Sequence, residues 1–158
     1  MRQLLNTAAA ALAVLALGAA PALAEPSWAR GLVDPRDDIY VGSATEDFGV
    51  SYILTSSIAK TEDGYATVTS RFEYREAASF NNFTFLSLRQ TYQVDCQGQR
   101  TRLTDRRAFA PNKLTRETRE MSYPSEWSDA EPGTLIETLV EMTCETVGTP
   151  VPSRRAAH

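Results

Sequence analysis

The chain has 158 residues, 42% of them hydrophobic and 23% charged, and its 16 Lys and Arg stand against 20 Asp and Glu for a net charge of −4. That length suits one domain with a modest core, and the acidic balance argues against nucleic acid and against an anionic lipid surface as partner. The single histidine, His158, is the last residue; this removes Ser-His-Asp, Cys-His and histidine-rich metal chemistry, and no GxSxG, P-loop or GxGxxG pattern takes its place.

Residues 1–24 read as an export signal. Arg2 supplies the positive start, Leu12 to Leu17 the apolar stretch, Pro21 a break, and Ala22-Leu23-Ala24 the small residues that signal peptidase needs. The apolar run is short of the ~20 residues of a spanning helix. No later segment is apolar enough to cross a membrane, so no insertion is expected after cleavage. No cysteine lies near the cut to carry a lipid. The expectation is a periplasmic or secreted protein starting near Glu25. Arg2 is the only charge removed, so the remaining 15 basic and 20 acidic residues give −5.

From Glu25 to Asp38 the chain reads as an irregular lead-in, with Trp28 placed to dock on the body. Asp34, Asp37 and Asp38 cluster there, but they lack the EF-hand ligand order, and a solvated acidic loop is the better reading. Strand-like segments follow. "DIYVGSA" alternates, and "FGVSYILTSSIA" puts Val50, Tyr52 and Leu54 on one side. "TEDG", residues 61–64, is a turn signal in which Gly64 can take positive φ.

"YATVTSRFEYRE" is the clearest strand. Ala66, Val68, Ser70, Phe72 and Tyr74 share one face, and Tyr65, Thr67, Thr69, Arg71 and Glu73 the other. Such alternation predicts a sheet with one wet face. After an interruption at Asn81-Asn82 a further strand runs to Cys96, Gln97-Gly98 marks a hairpin turn, and "QRTRLTDRRAFA" returns as far as Pro111-Asn112. "KLTRETREMSY" fits a polar edge strand or a short helix, the strand being preferred.

The last element has helical spacing. Thr134 with Glu137 forms a capping-box pattern. Ile136, Val140 and Cys144 recur every four residues, while Glu137, Glu141 and Glu145 lie opposite. Two cysteines in an exported chain read as one disulfide, Cys96 to Cys144; the alternative is two buried free thiols, disfavoured in an oxidising compartment. The spacing fits neither a redox CxxC pair nor a zinc site. Residues 25–147 therefore form one domain of the α+β class: a curved antiparallel sheet with a C-terminal helix packed on one face and disulfide-linked to it. Residues 148–158 are expected to be a disordered tail.

Early Trp28, "SSIAKTEDGYATV", "YQVDCQGQRTR", Trp127 and "EPGTLIETLVEMTCE", in that order, resemble the surface-adhesin protein E family of bacterial exported proteins. The resemblance covers nearly all of the chain after residue 24. It implies an antiparallel sheet with a disulfide-tied C-terminal helix, and a binding role, since some members act as adhesins on host extracellular proteins. Relatives anchored as lipoproteins differ from this chain, which has no lipobox cysteine.

The missing catalytic groups point to a non-catalytic, adhesin-like binding module that needs no cofactor and no metal. Its expected partner is a protein or an anionic ligand of undetermined identity, and composition leaves the oligomeric state open. The candidate surface is the basic stretch Arg100, Arg102, Arg106 and Arg107, extended by Arg116 and Arg119. Arg100 and Arg102, two apart, share a strand face, and guanidinium rows suit carboxylate, sulfate or phosphate. The competing reading is a solvated face on which these arginines pair with Asp105, Glu117 and Glu120. The sheet edges, which can recruit an extended peptide, are a further candidate surface. A second functional reading is a carrier that holds a small ligand in the cleft between sheet and helix.

Overall fold

The computed structural model describes residues 24–32, 39–45, 47–112, 114, 118–123, 126–149 and 151–152. β-Branched and aromatic residues at period two, punctuated by short polar turns, give a run of antiparallel strands. These are β1 (Ile39–Ala44), β2 (Gly49–Lys60), β3 (Ala66–Phe80), β4 (Phe83–Asp95), β5 (Arg100–Phe109) and β6 (Thr118–Glu120). Each pairs with the next, and a two-residue strand β7 (Ser128–Asp129) also pairs with β5. The turns use the expected chemistry. Gly64 has φ 86°, and Asn81 and Asn82 have φ 46° and 62°, the left-handed values that asparagine tolerates in tight hairpins.

The β4–β5 turn spans Cys96 to Gln99, and Gln99, not Gly98, carries the positive φ. Gly98 is required for another reason. A β-carbon there would meet Asp95 Oδ2 at 2.6 Å and Arg100 Nε at 2.9 Å. The missing side chain lets the backbone approach the ion pair that closes the hairpin.

One face of the sheet receives helix α1 (Leu135–Thr146). Leu139, Val140 and Cys144 of the helix pack on Ile53, Ala66, Val68, Val94 and Cys96 of the sheet. Full burial of each branched aliphatic side chain stabilises by roughly 1.5–3 kcal/mol. The helix begins at Thr134, whose Oγ1 accepts from the Glu137 amide at 3.2 Å. The Glu137 carboxylate reaches back to the Gly133 N–H at 2.7 Å rather than to that of Thr134, a variant of the anticipated box. Cys96 and Cys144 are bonded, with their Cα atoms 5.6 Å apart, so helix and hairpin turn are one covalent unit.

The other face departs from the expected wet surface. Arg71 is 5% and Glu73 0% exposed. Nearby, a 3-10 turn (Ser27–Ala29) brings Ala29, Trp28 and Leu32 onto Val50 and Tyr52. The Leu32 carbonyl accepts from Arg71 Nη2 at 3.0 Å, and the Tyr52 hydroxyl donates to Glu25 at 2.7 Å. The lead-in thus covers the half of this face over β1 to β3. Alternation along β3 gives no sign of this, because the covering residues lie forty positions upstream.

Residues 1–23 of the proposed 1–24 signal lie outside the described residues, as do Asp34, Asp37, Asp38, Arg116 and Glu117. Of the segment expected to form a tail, Val151 packs against the helix core, and the Pro152 carbonyl accepts from Gln99. Residues 153–158 are outside the described set.

Candidate functional site

The basic stretch becomes a surface through cross-strand pairing. Asp95 faces Arg100, Gln93 faces Arg102, Thr91 faces Asp105 and Arg89 faces Arg107. Each partner holds the arginine opposite or beside it. Arg100 Nε donates to Asp95 at 2.9 Å, Arg102 Nε to Gln93 at 2.7 Å and Arg107 Nε to Asp105 at 3.2 Å. Arg89 Nη2 lies 3.5 Å from the same Asp105. Gln93 is fixed in turn by donating to Asp63 at 2.9 Å.

Trp127 completes the row. Its ring lies 5.2 Å from the Arg100 guanidinium and 5.0 Å from that of Arg102, with Tyr65 at 5.1 Å on its flank. Stacking fixes guanidinium planes without using their donors. In Arg100, Arg102 and Arg107 alike, Nε is the engaged donor. The terminal Nη groups make no hydrogen bond among the described residues, and the side chains of Arg100 and Arg107 remain 41% and 46% exposed. Arginines tied at the neck with open forks are arranged for bidentate acceptors.

Two carboxylates in the row are held charged. Burial pushes Asp95 up, but the Gly98 N–H and the Arg100 guanidinium outweigh it and keep its pKa below the ordinary value. The Thr61 hydroxyl, with help from Gln93, holds Asp63 low as well.

Arg106 does not join this row. Thr104 is an extra residue in β5, so Tyr92 pairs with Leu103 while Thr91 pairs with Asp105. This bulge reverses the alternation. Arg107 moves to the side of Arg100 and Arg102, whereas Arg106, opposite Gln90, goes to the helix side. The competing solvated-face reading holds in part, since Asp105 does pair with Arg89 and Arg107. Arg119 lies apart, donating to the Asn81 carbonyl at 2.8 Å with its guanidinium 4.9 Å from the Phe83 ring. The sequence reading missed Trp127 and Arg89. Their signal is positional: Arg89 is one pairing step beyond Thr91, and Trp127 immediately precedes the short strand β7.

Glu73, fully buried, accepts from Arg71, from Ser87 through both oxygens at 2.8 and 2.7 Å, and from Asn112. A sealed and saturated carboxylate of this kind organises the fold and has no approach for a substrate. On the helix side of the sheet, in a cluster separate from that of α1, Phe48, Phe72, Tyr74 and Phe85 form a chain of edge and tilted ring contacts 4.5–5.7 Å apart, and Phe48 is 63% exposed. Among the described residues no group of three or more His, Cys, Asp or Glu could hold a metal ion, and no helix is long and apolar enough to cross a membrane.

A sequential antiparallel sheet with one disulfide-tied terminal helix, carrying a pinned guanidinium row, defines a small α+β platform. A family model described as surface-adhesin protein E matches residues 39–145. The chain belongs to that family. Searches of curated proteins and of solved structures returned no match.

Proposed function

We propose that this protein is an exported, non-catalytic binding module that captures an acidic partner surface, rich in carboxylate or sulfate groups, on the row Arg100, Arg102 and Arg107. The observation that carries this reading is the shared geometry of the three guanidinium groups. Each is anchored through Nε and two are stacked on Trp127, so the ordering entropy that a flexible arginine loses on binding is already spent in the fold. The chain's net negative charge makes a local basic row selective, because acidic partners are repelled elsewhere. Membership of a surface-adhesin family supports an adhesin-like role.

The test is capture from envelope and extracellular-matrix extracts by immobilised wild type and by the triple variant Arg100→Gln/Arg102→Gln/Arg107→Gln. Far-UV circular dichroism establishes that the variant is folded. Wild type should retain partners that elute as salt is raised from about 0.05 to 0.5 M, where the Debye length falls from roughly 14 to 4 Å, and the variant should retain few of them. Equal retention by the folded variant removes the row from consideration.

A further inference from the structure

A cleft of about 280 Å³ lies between the sheet and the first turn of α1, with Tyr92, Leu103, Arg106, Gln90, Glu126 and Ile136 among its lining residues. At ~30 Å³ per water molecule it has room for about nine waters, or for a ligand on the order of ten non-hydrogen atoms. We propose that this cleft binds a small monocarboxylate with an apolar body, its carboxylate on Arg106 and its body on Tyr92, Leu103 and Ile136.

Arg106 is the reason. Its Nε is sealed from solvent and has no hydrogen-bond partner. None of the ion pairs formed among the described residues includes it. The half-buried Arg106 side chain lines the cleft while its Nε is walled off from it, so a carboxylate there would meet the terminal Nη groups, which make no hydrogen bond among the described residues. The two phenols it acts on do not neutralise it. Burial raises the pKa values of the Tyr74 and Tyr92 phenols while the Arg106 charge lowers them, so the guanidinium lies within electrostatic reach of two rings that stay neutral at physiological pH.

The rest of the lining sets the ligand class. Leu103 is buried, and Tyr92 and Ile136 are half-buried members of the helix–sheet core; together they favour a hydrocarbon or aryl body. Glu126 and Asp129 also line the cleft and are exposed. Their charges oppose a second negative group, so a monoanion fits where a phosphate dianion or a dicarboxylate does not. Arg102 of the row also borders this cleft, but its Nε is held by Gln93 and neither Arg100 nor Arg107 reaches the cleft, so Arg106→Gln tests the cleft with the row intact and each can fail without the other.

The test is an NMR titration of isotopically labelled, disulfide-oxidised protein with 3-phenylpropionate, and with 3-phenylpropan-1-ol as its uncharged counterpart. Saturable shifts are expected at Gln90, Tyr92, Leu103 and Ile136 with the acid. The alcohol and the variant Arg106→Gln should each bind about tenfold or more weakly, as expected for loss of a charge-assisted hydrogen bond. Ile136→Trp, which fills the cleft and leaves the charge, should abolish binding, and Lys60→Gln should leave it unchanged. Shifts mapping elsewhere, no saturation, equal binding of acid and alcohol, or full affinity in folded Ile136→Trp would each overturn the proposal. If Arg106→Gln does not fold, the filled-cleft variant and the acid–alcohol comparison still decide it.

Discussion

The charged side chains of this protein divide into those that organise the fold and those proposed to face a partner, and single substitutions separate the two. Glu73 belongs to the first group. Glu73→Ala leaves the Arg71 charge, 6% exposed along its side chain, without its counter-ion, and should cost about 3–5 kcal/mol in urea denaturation. The double replacement Arg71→Met/Glu73→Leu should cost far less, because no unpaired charge remains. Equal losses would show that packing rather than charge dominates there. Asp95 belongs to the turn that sets up the row. Its pKa lies below the ordinary 3.8, so its contribution to stability is complete above the unfolded value and fades as pH falls through the folded one. The stability difference between wild type and Asp95→Asn should therefore be constant at neutral pH and shrink below about pH 4. A difference independent of pH would remove the ion pair from the account. Trp127→Ala should lower stability by about 1–2 kcal/mol, two cation–π contacts at ~0.5–1 kcal/mol each.

At the scale of elements the disulfide and the helix cap are the separable parts. Cys96→Ser/Cys144→Ser opens a loop of sequence separation 48, for which chain entropy predicts a loss of about 4 kcal/mol. Hydrogen exchange should show α1 opening before β3 and β4. Simultaneous opening of helix and sheet would mean that the bond does not tether the helix selectively. Thr134→Ala should cost ~1 kcal/mol through the exposed helix terminus. Strands β2 to β5 and the helix were legible because period two and period four are strong in "YATVTSRFEYRE" and "LIETLVEMTCE". The bulge at Thr104 was not, since an extra strand residue leaves no mark in composition, and without it Arg106 and Arg107 exchange faces. The pairing of Ser128 and Asp129 with β5 was likewise hidden: two residues carry no period. Burial of Arg71 and Glu73 depends on the distant lead-in, and local alternation cannot register a cover contributed from another part of the chain.

For the whole molecule, the sheet works as a divider with different chemistry on its two sides. The helix side holds the apolar core, the ring cluster and the cleft at Arg106. The other side is buried under the lead-in at β1 to β3 and presents the pinned arginines at β4 and β5. The outer edge of β5 is occupied by β6 and β7 at its ends, and the Thr104 and Arg106 carbonyls accept from the Tyr123 hydroxyl and the Met121 amide. That edge therefore offers little for strand addition. The most direct measurement is arginine-selective dicarbonyl footprinting, read by mass spectrometry, of the protein alone and with its captured partner. Binding should shield Arg100, Arg102 and Arg107 together and leave Arg75 on β3 reactive. Undiminished labelling of those three in the bound state, or shielding confined to another surface, would contradict the assignment of the working face.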